Sequence, residues 1–313
     1  MSCTIYAGYR NLNTKALLSL TTSVAADFDY AEGVLGKSLT SFKIGGPVPL
    51  VAWPKSRVAL ISLLRAALVC GERCDVVGAC TNLLIDDSGY DGLLIVTSKM
   101  RGCSINGTIF TAECGLPVEY AAIAARDAAL SGLEFFYGIP GTIGGAVTMN
   151  AGAYSSEVSC VLISSEAYNC ETGEIEKLSL PEHNFGYRMS VYRMAPRRVV
   201  LSASFSLSRG DRDTISAYMN ELKKQRWEKQ PLEYPSAGSV FKRYPGYFTA
   251  KLIEEAGLKG VRVGGAQVSE KHAGFIINTG DATAADVRAL IAIITEKIRA
   301  DRGIELEREL IYL

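Results

Sequence analysis

The sequence has few residues of the kind that bind metals. Its 313 residues include two histidines, His183 and His272, and none of its eight cysteines forms a C-x-x-C pair. Zinc and iron–sulfur sites need several such ligands at short spacing, so no metal site is expected. Scattered thiols in a chain of this length are typical of buried cysteines in a reducing compartment, which predicts a cytoplasmic protein.

An excess of charge and a long hydrophobic run are also missing. Lys plus Arg and Asp plus Glu each number 33, whereas nucleic-acid binding needs a basic surface, so no nucleic-acid partner is expected. The longest uncharged stretch, 135–156, contains Pro140 and five glycines, which favours turns and tight packing over a membrane span. The apolar run after Lys15 is too short and too rich in threonine for a secretory signal. A net charge of zero still leaves room for a local basic pocket around an anionic small molecule.

The remaining pattern indicates two domains, an α/β unit followed by a smaller α+β unit. A polar break at 209–211 separates an expected first domain, 1–208, from a second, 209–313. Apolar runs bounded by turn residues predict strands at 48–53, 74–77, 93–96, 108–112, 160–165, 175–180, 199–207 and 304–313. Helical periodicity predicts helices between Ser56 and Gly71 and at 117–130, 213–229 and 284–300.

Local signals refine these elements. Ser56 is expected to cap the first helix, and Asp281 is a candidate cap for the last. The apolar face of the first helix is expected to contain Val58, Ile61, Leu64 and Ala67. The helix over 213–229 has on related turns Ile215, Met219, Leu222 and Arg226. The stripe of the last helix consists of Val287, Leu290, Ile291, Ile294 and Ile298.

The final strand is expected to alternate between an apolar face and a solvated face. Its apolar face would carry Leu306, Leu310 and Tyr312. Its other face would carry a row of carboxylates, Glu305, Glu307 and Glu309.

Two loops that contain glycine could bring their backbone close to a ligand. Gly45 and Gly46 precede a predicted strand, although a plain turn is the favoured explanation. The second loop, 78–85, follows a strand directly, and its backbone N–H groups with Thr81 and Asn82 could cradle a pyrophosphate. It lacks the dinucleotide fingerprint G-x-G-x-x-G, and a tight β-turn stays open as the alternative.

The segment 138–154 carries the strongest signal for a ligand. Its seventeen residues include five glycines with apolar residues between them, so it differs from a polar flexible linker. Such a backbone lets a large group pack flat against it, and a planar cofactor with its phosphates is the favoured occupant. Close packing of a helix on a strand is the alternative.

Three further positions carry side chains suited to chemistry. Arg188 could hold a carboxylate through two parallel hydrogen bonds, although an isolated arginine is more often a surface residue. Ser239 follows small residues and precedes an apolar strand, an arrangement that can hold a hydroxyl out into a cleft. A hydrolase triad has few candidate bases here, and a lone histidine such as His272 is more often structural than catalytic.

Taken together, these segments resemble the UDP-N-acetylenolpyruvoylglucosamine reductase (MurB) family, in its shorter second type. The resemblance runs from about residue 40 to residue 313, and its most specific parts are 138–154, 187–190, 230–242 and 251–278. It implies a combined α+β and α/β fold. Two α/β subdomains within 1–208 would form an FAD-binding domain of the vanillyl-alcohol-oxidase (PCMH) type. The C-terminal α+β domain, 209–313, would bind the UDP-sugar substrate.

The resemblance also implies a reaction. FAD, bound non-covalently, would pass a hydride from NADPH to C3 of the enolpyruvyl group of UDP-N-acetylglucosamine enolpyruvate, and a protein acid would protonate C2. Arg188 and Glu309 match the groups that stabilise the developing negative charge, with Glu307 as the alternative to Glu309. Ser239 matches the proton donor.

The binding residues of the family carry over onto matching positions of this chain. Those expected to contact FAD are Gly45, Gly46, Gly78, Ala79, Cys80, Thr81, Asn82, Leu83, Gly138, Pro140, Gly141, Thr142, Gly144, Gly145, Ala146, Asn150 and Gly152. Those expected to contact the substrate are Lys242, Lys251, Gln267 and His272. The UDP-sugar and NADPH are the expected partners, no membrane partner is expected, and the chain is expected to be a monomer.

One position departs from the family pattern. Cys80 stands where the family usually has a glycine, and a side chain there could crowd the FAD phosphates. Two other functions stay open at this point. One is another FAD-dependent oxidoreductase of the same fold. The other is a catalytically silent FAD- or UDP-sugar-binding protein, for which Cys80 is the one hint.

Overall fold

Three β-sheets with helices packed against them organise the chain. The computed structural model describes residues 13–195 and 197–313, so the expected start of the first domain, 1–12, lies outside the described residues. The strands, in chain order, are β1 (Phe28–Leu35), β2 (Pro47–Pro54), β3 (Cys74–Val77), β4 (Leu83–Leu84), β5 (Leu93–Val96), β6 (Cys103–Asn106), β7 (Ile109–Glu113), β8 (Leu130–Ser131), β9 (Gly152–Ala153), β10 (Ser156–Glu157), β11 (Leu162–Asn169), β12 (Ile175–Ser179), β13 (Arg198–Ser206), β14 (Ser208–Arg209), β15 (Ser236–Ser239), β16 (Arg262–Val263), β17 (Ala266–Val268), β18 (Phe275–Asn278) and β19 (Ile311–Tyr312). The helices, in chain order, are α1 (Thr14–Leu20), α2 (Gly36–Leu39), α3 (Arg57–Cys70), α4 (Val118–Asp127), α5 (Ile143–Thr148), α6 (Arg212–Lys229), α7 (Thr249–Glu255) and α8 (Ala284–Arg302).

The first sheet has the strand order β1–β2–β5–β3, in which β1 is antiparallel and the other three strands are parallel. Side chains of β5 alternate between two cores, with Leu93 and Ile95 in one and Leu94 and Val96 in the other. A strand that is covered on both faces needs a continuous apolar run, which explains the sequence of β5. The strands predicted at 48–53, 74–77 and 93–96 are confirmed.

Helix α3 packs on this sheet and has the ends that the sequence predicts. The Ser56 hydroxyl accepts a hydrogen bond from the backbone N–H of Ala59 at 3.2 Å. Gly71 ends the helix at φ 66°, a conformation that favours glycine. The predicted apolar face was wrong at Val58, which is 57% exposed. Val58 lies two residues, or roughly 200° around the helix, before the buried Leu60, so it points away from the core.

The second sheet is antiparallel, in the order β12–β11–β13–β7–β6, and packs into the same core as the first. It confirms the four strands predicted between 108 and 207, although their ends are shifted. The helix predicted over 117–130 ends at Asp127, because the chain turns at Ala129 (φ 54°) to pair β8 with β14. Helix α5 lies within the glycine-rich segment 138–154 and packs on β13. The sequence analysis did not predict this helix.

The third sheet is antiparallel, in the order β15–β18–β17–β16, and α8 packs against it. All five residues of the predicted α8 stripe are buried. The final strand is shorter than predicted, since only β19 forms a ladder, in parallel with β4. Arg308 adds an isolated bridge to Phe241. The alternating pattern alone therefore does not produce a strand over the whole segment.

Helix α6 packs on the core of the first two sheets through Ile215 and Met219. The third sheet is also tied to the first sheet through α8. The Asp87 carboxylate accepts hydrogen bonds from the backbone N–H groups of Ala284 and Ala285 at 2.7 and 2.8 Å. The division into domains at residue 209 stays a prediction.

Within residues 13–195 and 197–313, every helix is too short or too polar to cross a membrane. In the same ranges, no group of three or more His, Cys, Asp and Glu side chains could hold a metal ion. The cysteines of the described ranges are all free thiols.

The cap of α8 differs from the predicted one. The Thr283 hydroxyl accepts a hydrogen bond from the backbone N–H of Asp286, and the Asp286 carboxylate accepts one from the backbone N–H of Thr283, both at 3.0 Å. This reciprocal pair needs partners three residues apart. Asp281 lies too far before the first turn to take part, so its assignment as the cap was wrong.

We expect Thr283→Ala to lower the free energy of unfolding by about 1 kcal/mol, the usual cost of losing such a cap. Asp281→Ala is the matched control, because Asp281 is exposed and should cost less than about 0.5 kcal/mol. Urea unfolding followed by circular dichroism measures both values. Equal losses in the two variants would contradict the assignment of Thr283.

Candidate active site

A cleft of about 1220 Å³ is bordered by elements of all three sheets. Sites for single small molecules usually measure about 300–1,000 Å³, so this cleft can hold a large cofactor together with a substrate. Most of the residues that line it come from the segments 76–83, 136–155, 187–188, 225–241, 248–250, 272–275 and 309–311.

The loop after β3 forms one wall of the cleft. The backbone N–H groups of Ala79, Cys80 and Thr81 line the cleft and donate to no acceptor in the part of the chain that the structure describes. Consecutive free N–H groups form a site for an anion, so this loop fits the phosphates of a nucleotide. The Thr81 hydroxyl donates to the Pro140 carbonyl at 3.2 Å and so connects this loop to the segment 138–154.

Cys80 does not crowd this loop. Its side chain is 4% exposed and packs among apolar residues that include Val77 and Leu83, and burial raises the pKa of its thiol to about 12. The backbone of Cys80 has a φ of 53°, in the region that favours glycine. This conformation explains the usual glycine of the family at this position. It also removes the one hint that favoured a silent binding protein.

In the segment 138–154, some glycines allow close packing within the protein and another leaves the cleft wall open, so both expectations apply. An added Cβ at Gly78 would lie 2.1 Å from the Thr142 hydroxyl oxygen, and one at Gly144 would lie 2.9 Å from the Cys114 Cβ, so these glycines serve packing. An added Cβ at Gly141 would approach only one described atom within 4 Å, at 3.8 Å, so the chain is open there.

The N-terminus of the short helix α5 is not a free site. The backbone N–H groups of Ile143 and Gly144 donate to the carbonyls of Leu116 and Cys114 at 2.9 and 2.8 Å. These two N–H groups of the helix are therefore not available to a ligand.

Most of the residues expected to contact FAD line the cleft. They are Gly78, Ala79, Cys80, Thr81, Asn82, Leu83, Pro140, Gly141, Thr142, Gly144, Gly145, Ala146 and Gly152. Four do not: Gly45, Gly46, Gly138 and Asn150. Gly45 and Gly46 pack on their own protein, since an added Cβ at Gly46 would lie 2.1 Å from the Asp87 carbonyl oxygen. The plain-turn explanation therefore fits these two residues.

Asn150 is fully buried and acts on the protein itself. Its side-chain amide donates to the Gly186 carbonyl at 3.1 Å, and the nearby Ser190 hydroxyl donates to the Thr148 carbonyl at 2.7 Å. These bonds anchor both ends of the turn that carries Arg188, whose φ is 54°. Asn150 thus positions the arginine, a contribution that its place in the segment rich in glycine did not reveal.

Arg188 and Glu309 form a partly buried ion pair. The Arg188 Nε lies 2.8 Å from the Glu309 Oε1, and the two side chains are 18% and 16% exposed. Arg188 also donates to the Gly152 carbonyl at 3.1 Å. Burial raises the pKa of Glu309 above its ordinary value, although the charge of Arg188 opposes the shift. A carboxyl with a raised pKa can hold a proton where an exposed one cannot.

Glu309 breaks the predicted row of solvated carboxylates. Glu305 and Glu307 keep 72% of their side chains exposed, whereas Glu309 faces the cleft. The backbone N–H of Glu309 donates to the Val240 carbonyl at 2.8 Å, so Glu309 lies next to the strand that carries Ser239. The Ser239 hydroxyl lines the cleft and has no hydrogen bond to any residue within 13–195 or 197–313.

Of the four residues expected to bind substrate, only His272 lines the cleft. His272 lines the cleft, and burial lowers its pKa while its Nδ1 accepts from the Gly274 N–H at 3.2 Å. Lys242 pairs with Glu307 and lies outside the cleft lining. Lys251 is 72% exposed and lies 3.8 Å from Glu255. Gln267 donates to the Gly260 carbonyl at 3.3 Å.

The sequence analysis missed Arg226 as a residue of the cleft wall. The signal was present, because a cation fell on the same face of α6 as Ile215, Met219 and Leu222, which are all buried. A charge in phase with an apolar stripe indicates a buried charge, and buried charges are costly unless they have a function or a partner.

Comparison with known proteins agrees with this geometry. A family model described as an FAD binding domain matches residues 48–179, and the C-terminal domain model of UDP-N-acetylenolpyruvoylglucosamine reductase matches residues 230–313. The reductase of Caldicellulosiruptor bescii is 47% identical over 279 residues, which cover 88% of each chain. The reductase of Pediococcus pentosaceus is 47% identical over 86% of this chain and 89% of its own.

The solved structure of the reductase from Thermus caldophilus superposes with a TM-score of 0.77 at 31% identity. The match covers 91% of this chain and 98% of that one. The predicted fold, an FAD-binding unit followed by a smaller α+β domain, is confirmed by these matches. At this identity and coverage, the chain belongs to the UDP-N-acetylenolpyruvoylglucosamine reductase family.

Proposed function

We propose that this chain is an FAD-dependent oxidoreductase that reduces UDP-N-acetylglucosamine enolpyruvate to UDP-N-acetylmuramate in peptidoglycan precursor synthesis. NADPH is the hydride donor in this proposal, and the chain works as a cytoplasmic monomer. The observation that supports it most directly is the arrangement of one cleft. Free backbone donors, the open backbone at Gly141, the pair of Arg188 and Glu309, and Ser239 all belong to its lining.

The wall of the cleft fits FAD. Backbone N–H groups of Ala79, Cys80 and Thr81 are available for its phosphates, and the open backbone at Gly141 leaves room for close approach. When bound, FAD supplies transfer of a hydride from NADPH to the enolpyruvyl group. The chain contributes position, charge and a proton.

Arg188 and Glu309 stabilise the charge that develops on the enolpyruvyl carboxylate. The Arg188 guanidinium is held in place by Gly152 and by the turn that Asn150 anchors, so it needs little reorganisation when charge appears. Glu309 assists an anion only while it holds or shares a proton. Its burial favours that state by raising its pKa.

Ser239 donates the proton to C2 of the enolpyruvyl group. Its hydroxyl has no bond to the described residues, so it can bond to substrate without first breaking another bond. A serine hydroxyl is a weak acid, and the basicity of the carbon that it protonates must drive the transfer. Gly238, at φ 75°, turns the backbone just before it and sets the direction of the side chain.

We expect Ser239→Ala to separate the two half-reactions. Reduction of the flavin by NADPH should be retained, while its reoxidation by the enolpyruvyl sugar should fall by about 10²- to 10⁴-fold, because a general acid is lost. Stopped-flow absorbance of the flavin measures both rates. Equal losses in both half-reactions would point instead to a general defect in folding or flavin binding and would exclude Ser239 as a specific proton donor.

We expect Glu309→Ala to slow reoxidation by about 10²- to 10³-fold, the usual loss of one group that stabilises transition-state charge. Glu307→Ala tests the alternative carboxylate and should have a much smaller effect, since that side chain is 72% exposed. Glu305→Ala serves as a neutral control. A larger loss for Glu307→Ala than for Glu309→Ala would reverse the assignment.

The same rates should depend on pH in a defined direction. Because protonated Glu309 is the competent form and its pKa is raised, reoxidation should decline as the pH rises through that pKa. Glu309→Gln cannot ionise, so its reoxidation should lack this decline. A decline that persists unchanged in Glu309→Gln would assign the titration to another group.

A further inference from the structure

Arg226 is a buried residue whose side chain has no hydrogen-bond partner in the described part of the chain. Arg226 lies in the last turns of α6 and is 9% exposed. Its Nε has no hydrogen bond to a described residue. Within residues 13–195 and 197–313, every other buried side-chain nitrogen or oxygen has one. No acidic side chain of these ranges pairs with it, and no other hydrogen bond of its side chain occurs there.

The groups around Arg226 are already engaged. The Glu119 carboxylate, whose charge acts on Arg226, lies 3.4 Å from the Lys223 ammonium. The Tyr154 hydroxyl donates to the Leu222 carbonyl at 2.9 Å. Desolvation lowers the pKa of Arg226, yet an arginine keeps its proton in proteins. A buried charge in this state strongly opposes folding unless something outside the chain satisfies it.

Arg226 is directed at the cleft. It forms part of the cleft wall, and it lies against the turn at Gly138, where an added Cβ would be 3.5 Å from the Arg226 Cδ. That turn leads into the open stretch at Pro140 and Gly141. A ligand lying along this wall can therefore present an acceptor to the guanidinium.

We propose that Arg226 is a ligand-binding residue whose guanidinium binds the phosphoryl oxygens of a nucleoside diphosphate in the cleft. This inference rests on the proposed function, in which both FAD and the UDP-sugar carry such a group. The planar fork of an arginine matches phosphate oxygens. The enolpyruvyl carboxylate already has a cation in Arg188, whereas Arg226 pairs with no anion among the described residues.

Arg226→Met tests this proposal, because it removes the charge and keeps a long apolar side chain. Arg212→Met is the matched control on the same helix, where the arginine is 62% exposed and pairs with Asp127. Dissociation of FAD is followed by flavin fluorescence on dilution of the full-length holoprotein. Binding of UDP is followed by its perturbation of the flavin absorbance.

We expect Arg226→Met to weaken binding of FAD or of UDP at least tenfold relative to Arg212→Met. Weaker FAD binding with unchanged UDP binding identifies the cofactor as the source of the phosphate, and the converse identifies the substrate. The thermal midpoint measured after FAD has dissociated should stay level or rise, because the variant loses an unpaired buried charge. A residue with a purely structural role would lower that midpoint.

The proposal is overturned if the dissociation constants for FAD and UDP both stay within twofold of those of Arg212→Met. A lowered midpoint accompanying that result would assign Arg226 a structural role instead. If this result is found while the wild-type protein turns over normally, this inference alone is refuted. Wild-type protein that binds neither FAD nor UDP would instead refute the proposed function.

Discussion

The candidate site depends on the hydrogen bonds that hold the segment around Glu309 between the loop after β3 and the end of β15. The Glu309 N–H donates to the Val240 carbonyl at 2.8 Å, and the Asn82 side chain donates to the Glu309 carbonyl at 3.1 Å. Through these two bonds the segment connects the loop after β3 to the strand that carries Ser239. A shift by one residue would turn the Glu309 carboxyl away from Arg188, because neighbouring side chains of an extended chain face opposite ways.

Desolvation shifts the pKa of two residues of this cleft, Glu309 and Arg226, with different outcomes. Burial raises the pKa of Glu309, and Arg188 supplies an opposite charge that makes the burial tolerable. Burial also lowers the pKa of Arg226, but that side chain receives no acceptor from the described chain. A protein that binds anions has to leave some donors without internal partners, and this lowers the stability of the free protein. The backbone N–H groups of Ala79, Cys80 and Thr81 likewise have no acceptor in the described chain.

The glycines of 138–154 explain why sequence and structure agree only in part there. Gly144 is required by contact with Cys114, whereas Gly141 leaves the wall open, and composition alone does not distinguish the two uses. Helix α5 was missed for the same reason, since glycine lowers helix propensity and packing, chiefly on β13, stabilises this helix. Gly46 was expected to contact FAD, but it packs against the backbone at Asp87.

The sequence by itself determined the helices α3, α6 and α8 and the family, because caps, apolar periodicity and motifs act over short stretches of chain. It also supplied Arg188 and Ser239 as candidate reacting groups, although their roles stay predictions. Only the tertiary structure decided that Glu309 is buried while Glu307 is exposed, and that Arg226 lies in the cleft wall without a partner in the described chain. Burial and pairing depend on contacts between residues far apart in the chain, which no local pattern records.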